Sequence, residues 1–179
     1  LYICKIKQEM IVDQTNKYGG YLKVDEIIYK NHKGKNVKRE VMRRPNAVSA
    51  LVYDTNKKVY IFVKQWRPGS SSDVLEIVAG TLDHPNEDTR TAIEREILEE
   101  IGYKTDTLKL IDEGWVSPGG TTEKVSIYFA EVSEKVSEGG GLESEDEEIE
   151  IIEMTKNEML STRFEDLKTI ISVMWARYN

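Results

Sequence analysis

Three carboxylates, Glu96, Glu99 and Glu100, stand at i, i+3 and i+4, a spacing that places them on one face of a helix within a single turn. Like charges set that close repel, at about 0.2–0.5 kcal/mol for each exposed pair. A cation held among them reverses the sign. Oxygen ligands with no His or Cys beside them suit a hard ion, Mg2+ or Mn2+. The plain alternative is a solvated acidic helix face, and the triplet taken alone leaves both readings open.

The elements that must position these groups are legible around them. Ile93, Ile97 and Ile101 recur at i, i+4 and i+8 and make an apolar stripe on another face of the same helix. The helix is expected over residues 88–101, capped by Asn86 or Asp88 with acidic residues in its first turn. Gly102 stands where a C-terminal glycine belongs. Upstream, Leu75, Ile77 and Val78 have strand character, with Ala79-Gly80 ending the strand and His84-Pro85-Asn86 forming a loop.

Gly80, Glu87 and the run Arg95-Glu96-Ile97-Leu98-Glu99-Glu100-Ile101-Gly102-Tyr103 resemble the signature of the Nudix hydrolases, G-x5-E-x7-R-E-U-x-E-E-x-G-U, with U a bulky apolar residue. From Glu87 onward the spacing matches at every specified position. Between Gly80 and Glu87 there are six residues instead of five, read as one extra residue in the loop at His84-Pro85-Asn86. Residues 76–83 (EIVAGTLD) resemble the E-x-x-A-G-x-x-D segment of the branch acting on ADP-ribose and nucleotide sugars. Ser117-Pro118-Gly119-Gly120 with Thr122-Glu123 is similar to that branch's S-P-G…E segment. Gly139-Gly140-Gly141, followed by Glu147-Glu148-Ile149-Glu150, is similar to the G-G-G…E-x-I-E loop of its GDP-mannose and UDP-glucose hydrolases.

The resemblance implies an α/β fold, an α/β/α sandwich around a mixed sheet, with an N-terminal β-hairpin sheet exchanged across a homodimer. Residues 1–45 would be the dimerisation region and residues 46–179 the catalytic domain. It implies Mg2+-dependent hydrolysis (Mn2+ as a substitute) of the pyrophosphate bond of a nucleoside diphosphate sugar or ADP-ribose. Ala79 would offer its backbone carbonyl to the metal, Glu96 and Glu100 would be carboxylate ligands, and Glu99 a second-line or water-mediated one with a share in catalysis. Arg95 and Glu87 would be structural. Glu147 takes the place of the catalytic base when aligned backward from Ile149-Glu150, and Glu145 when counted forward from the glycines. Arg67, Arg39 and Glu123, with Glu76 and Gly80, would hold nucleotide and diphosphate, Arg39 coming from either protomer. The reading from a different class is a Nudix-like module that senses a nucleotide sugar without cutting it.

Composition is compatible with this. The chain of 179 residues is 39% hydrophobic and 32% charged, as in a globular protein with a sizeable core. A net charge of −7 argues against nonspecific nucleic-acid binding. No apolar run approaches the roughly 20 residues that cross a bilayer. The segment LYICKIKQEMIV lacks a signal peptide's apolar stretch, and the one cysteine, Cys4, fits a reducing, cytoplasmic setting.

Elsewhere, strands are expected over 21–29, 37–42, 47–53, 59–65, 107–116, 124–132 and 149–154, and helices over 156–160 and 163–178. In the last helix Leu167, Ile170, Ile171, Met174 and Trp175 form a stripe for core or interface packing. Lys38, Arg39, Arg43 and Arg44 read either as solvated edge-strand charges or as an anion clamp. Trp66 is expected to be a partly buried core or interface residue rather than a base-stacking one.

Overall fold

The structure is a computed structural model, and it describes residues 10–141 and 148–179. The chain divides into two compact units. The smaller takes in the described residues up to Pro45 together with Trp115–Glu123. Its strands β1 (Ile11–Gly19), β2 (Lys23–Lys30) and β3 (Asn36–Arg43) form a three-stranded antiparallel sheet in that order.

One carboxylate ties the three strands together. Asp25 on β2, 3% exposed, accepts from Gln14 Nε2 at 2.5 Å, Asn16 Nδ2 at 3.1 Å and the Arg43 guanidinium. Those donors, Gln14 foremost, hold its carboxyl below the usual range. The segment after Trp115 turns at Ser117, whose carbonyl accepts from Gly120 N and Thr121 N. It then joins β3 through Met42 N to Gly120 O at 2.9 Å and Thr122 N to Met42 O at 3.1 Å.

The larger unit holds a seven-stranded mixed sheet. Its strands are β4 (Ala47–Asp54), β5 (Val59–Arg67), β6 (Ser72–Glu76), β7 (Val78–Thr81), β8 (Tyr103–Trp115), β9 (Lys124–Lys135) and β10 (Glu150–Met154). The main path runs β10-β5-β4-β9-β8, with β6 on β5 and β7 on β4. The β4–β9 pair is parallel, and β4 and β5 are otherwise flanked antiparallel. β4 reads Ala-Val-Ser-Ala-Leu-Val-Tyr-Asp and is buried along most of its length, as a strand covered on both faces must be.

Alternate residues feed two core layers. Val48, Ala50 and Val52 of β4 and Ile61 and Val63 of β5 join Ala92, Ile93, Ile97 and Ile101 of helix α1 (Thr89–Ile101). Leu51, Tyr60 and Phe62 join Met159 of α2 (Lys156–Ser161) and Val173 and Ala176 of α3 (Leu167–Tyr178). Each buried Ile side chain of α1 contributes about 1.5–3 kcal/mol. This is the α/β/α sandwich with a mixed sheet and a separate antiparallel sheet.

Several details differ from the sequence reading. Asp88 alone caps α1, through Oδ2 accepting from Thr91 N at 3.1 Å, and the first turn, Thr89-Arg90-Thr91, carries no acid. The strand expected to end at Ala79-Gly80 instead breaks at Ile77, and Ala79 and Gly80 lie inside β7, paired with Ser49 and Val48. Ile77 N leaves the ladder to donate to Thr169 Oγ1 at 2.9 Å, which accounts for the break. The last helix starts at Leu167 because Asp166 caps Thr169 N at 2.9 Å. Its buried residues are the small ones, Thr169, Ser172, Val173 and Ala176, while Leu167, Ile171 and Met174 face solvent and Ile170 and Trp175 are only partly buried. Small side chains let that helix approach the sheet closely, so volume rather than hydrophobicity chose the inward face. Trp66 is 56% exposed.

Ile97→Ala should therefore cost about 2–5 kcal/mol in urea unfolding, and Met174→Ala no more than about 0.5 kcal/mol. A reversal of that order would contradict the assigned core.

Candidate active site

Burial of the isoleucine stripe leaves the adjoining face of α1 turned toward the backbone of β7. There Glu96 lies so close to Gly80 that a Cβ on Gly80 would sit 1.9 Å from Glu96 Oε1. Any side chain at position 80 would have to displace that carboxylate, while the backbone of Gly80 itself asks for no glycine. Glu100, 4% exposed, accepts from Ala79 N at 3.3 Å through Oε2. Two acids one helical turn apart thus meet two consecutive residues of one strand.

Arg95 organises the same face. Its Nη1 donates to Glu96 Oε1 at 2.8 Å and to Glu99 Oε2 at 3.1 Å. Its Nη2 lies 3.6 Å from both Asp83 Oδ1 and Glu87 Oε1. Burial works against the guanidinium's charge, but Glu96, Asp83 and Glu99 outweigh it and raise its pKa above the ordinary value. Glu87 closes the loop by accepting from Asp83 N at 2.6 Å. With Glu96 and Glu99 drawn onto Arg95 and Glu100 onto the Ala79 amide, no three acids, His or Cys among the described residues stand as a ready-made ligand cluster. The donor set itself, carboxylates and peptide oxygen, still suits a hard divalent cation.

The C-terminal end of α1 is built from glycine. Gly102, at φ 77°, ends the helix and donates to Leu98 O at 3.1 Å. Its own carbonyl accepts from Val136 N at 2.8 Å and Ser137 N at 3.2 Å. Gly140 N donates to Glu100 O at 2.8 Å and Gly141 N to Glu99 O at 3.2 Å. The glycine run therefore satisfies the carbonyls of the very residues whose side chains form the acidic face. A Cβ on Gly139, at φ 73°, would lie 2.6–2.7 Å from the backbone of Glu100 and Ile101.

Arg67 and Glu76 meet at the end of β5. Arg67 Nε donates to Glu76 Oε2 at 2.5 Å, and Lys168 Nζ of α3 donates to Glu76 Oε1 at 2.5 Å. Lys168 also pairs with Asp166 Oδ1 at 3.0 Å. Of the residues expected to serve the site, Ala79, Gly80, Glu96, Glu99 and Glu100 are gathered at α1 and β7, and Arg67 and Glu76 form this pair. Arg39 and Glu123 belong to the other unit, where Arg39 donates to Lys38 O at 2.7 Å and Glu123 pairs with Arg44 at 3.2 Å. Glu147 and Glu145 lie outside the described residues.

The sequence reading passed over Lys168. Asp166 followed three residues later by Thr169 is a capping pattern that would have started α3 there and put a lysine in its first turn. A cation at the positive end of a helix dipole is an oddity that asks for a partner.

Fold and site together define a class, and the comparisons name it. Residues 43–172 match the model of the NUDIX domain family. The chain is 35% identical to the GDP-mannose pyrophosphatase of Escherichia coli strain K12 and 38% identical to that of Salmonella typhimurium strain LT2. Each match covers 75% of this chain and 74% of the relative. A crystal structure of an ADP compounds hydrolase superposes with a TM-score of 0.77 at 19% identity, over 94% of this chain and 91% of that one, a likeness of fold. The chain belongs to the Nudix family and is a hydrolase related to the GDP-mannose pyrophosphatases. Nudix hydrolases generally use a divalent metal.

Gly139→Ala should lower the melting temperature by about 2–4 °C or more, since alanine at a positive φ against fixed backbone costs more than about 1 kcal/mol. Differential scanning calorimetry checks this, and an unchanged melting temperature would contradict the docked position of the glycine run.

Proposed function

We propose that this hydrolase cuts the pyrophosphate bond of a nucleoside diphosphate sugar, GDP-mannose or a near analogue, or of ADP-ribose. The products are a nucleoside monophosphate and a sugar phosphate. The observation that carries the reading is the meeting of Glu96 and Glu100 with the backbone of Ala79 and Gly80. Kinship with GDP-mannose pyrophosphatases supports the substrate class.

Ala79, through its carbonyl, would hold a divalent ion together with Glu96 and Glu100, with Glu99 in a second line; Mg2+ is the proposed ion and Mn2+ its substitute. When bound, the ion supplies positive charge against the anionic diphosphate oxygens and lowers the pKa of a water. The chain's own residues do the rest. Arg95 restrains Glu96 and Glu99 together through its Nη1 and so limits their orientations before substrate arrives. Gly80 keeps β7 open to a close approach. Arg67, beside Glu76, offers a fork of donors that suits a diphosphate. Arg39 and Glu123 are assigned to the nucleotide, with residues 1–45 as a dimerisation region and residues 46–179 as the catalytic domain of a cytoplasmic homodimer. Glu147 is assigned the general base that takes the proton of the attacking water.

A panel of nucleotide sugars and ADP-ribose, assayed with Mg2+ by phosphatase-coupled phosphate release, tests the substrate class. Glu100→Gln should lower kcat/KM by about 100-fold or more, the scale of losing one group that stabilises developing charge, with an unchanged circular dichroism spectrum. Near-normal turnover would exclude the proposed ligand set. Glu147→Gln should lower kcat with KM within about twofold; if Glu145→Gln does this instead, the base is Glu145.

A further inference from the structure

Trp66 is a large aromatic residue that the fold leaves 56% exposed, one position before Arg67 on β5. An exposed indole alone calls for no explanation. This one stands in the wall of a cavity of about 580 Å3, within the roughly 300–1,000 Å3 of small-molecule sites.

The cavity comes from a mismatch in strand length. β10 pairs with β5 only as far as Lys64, which lies opposite Glu150, while β5 runs on to Arg67. On that side, among the described residues, no strand covers the edge of β5 beyond Lys64. Glu148 and Ile149, with Gly140, line the space that this leaves. Lys64 and Trp66, two residues apart, share one face of β5. Their cross-strand partners Glu150 and Asp73 line the same cavity. Gly140 N donates to Glu100 O at 2.8 Å, so the cavity borders both the C-terminal turn of α1 and the strand end that carries Arg67.

The lining selects the kind of molecule. Among the described lining residues, Lys64 sets one ammonium against three carboxylates, Asp73, Glu148 and Glu150. Lys64 Nζ donates to Glu150 Oε2 at 3.0 Å. Glu150, with Asp73 behind it, raises the pKa of that ammonium above its ordinary value. A wall of net negative charge repels a phosphate. A neutral polyol suits it, because each hydroxyl donates to a carboxylate or accepts from Lys64 or the Gln65 amide. The indole completes the set: its negative π face attracts the weakly positive C–H bonds along one side of a pyranose ring. A base would find one stacking face here, with no second ring opposite among the described lining residues.

We propose that this cavity is the hexose subsite: Trp66 stacks on the sugar ring while Asp73, Glu150 and Lys64 hydrogen-bond its hydroxyls. The proposal rests on the nucleoside diphosphate sugar reading above and names the residues that read the sugar. The sugar hangs from the distal phosphate, so its subsite must adjoin the groups that take the diphosphate, as Trp66 adjoins Arg67.

The test uses the full chain without divalent metal, so that substrate is bound and not consumed. GDP and GDP-mannose are titrated calorimetrically into wild type, Trp66→Ala, Trp66→Phe and Asp73→Asn. Trp66→Ala should weaken GDP-mannose binding about tenfold, the scale of one aromatic contact with its buried area. GDP affinity should stay within about twofold, and the melting temperature should not move, as for a surface substitution. Trp66→Phe should hold GDP-mannose within about threefold of wild type, and Asp73→Asn should weaken it about threefold, the scale of one hydrogen bond. With Mg2+ present, KM for GDP-mannose in Trp66→Ala should rise by the factor seen in binding. Unchanged GDP-mannose affinity in Trp66→Ala overturns the inference. An equal loss for GDP and GDP-mannose overturns it too, and assigns Trp66 to the nucleotide. Wild type that binds neither ligand overturns both the subsite and the reading it rests on. If the selective loss is found and no member of the panel is cut, the hydrolytic reading fails while the subsite stands.

Discussion

The close approach of α1 to β7 is the constraint on which the site depends. Three isoleucines and an alanine, all fully buried, pull the helix onto the sheet, and the depth of that burial sets how near the other faces come. At Gly80 a methyl group would have to push the Glu96 carboxylate out of its place. Apolar packing thus does electrostatic work: it forces carboxylates against a strand, where peptide groups and Arg95 answer their charge. The repulsion among the acids is offset by hydrophobic contact on another face of the same helix, and neither face makes sense without the other.

Two charge clusters of opposite design follow from this. Around α1, among the described residues, several acids gather on the guanidinium of Arg95. Around Glu76 the charges balance, and the outermost group is an arginine. An anionic substrate carrying its own divalent counter-ion would find complementary charge at both. The spacing of the two clusters along two consecutive strands, β6 and β7, comes from the break at Ile77, where the chain leaves the ladder for a single bond to α3.

Much of this was legible in the sequence because periodicity reports what a helix buries. The register of α1, its glycine stop and the identity of its acidic face all follow from residue spacing, and the signature from Glu87 to Tyr103 carried the family. What escaped were features decided by volume and by distant partners. The stripe of α3 pointed to a core or interface face, and the residues buried against the sheet include the small Thr169, Ser172 and Ala176, because close packing favoured small side chains. The interruption at Ile77 is made by a hydroxyl 92 positions away, which no local pattern contains. Lys168 looked like one more surface lysine until the fold brought Glu76 beneath it. The N-terminal sheet was foreseen as a hairpin, but the acid that ties its three strands, Asp25, was not, since its donors come from both neighbouring strands.

The glycine run at the end of α1 has one more consequence. Its amides are the last rungs of the helix, so the loop cannot lift away while the helix stays fully wound. Detachment of residues 140–141 and fraying of Glu99 and Glu100 become the same opening event, governed by one local free energy. Amide protons at the two glycines would then exchange with solvent on the clock of the helix terminus, far slower than their place in an acidic, glycine-rich stretch suggests.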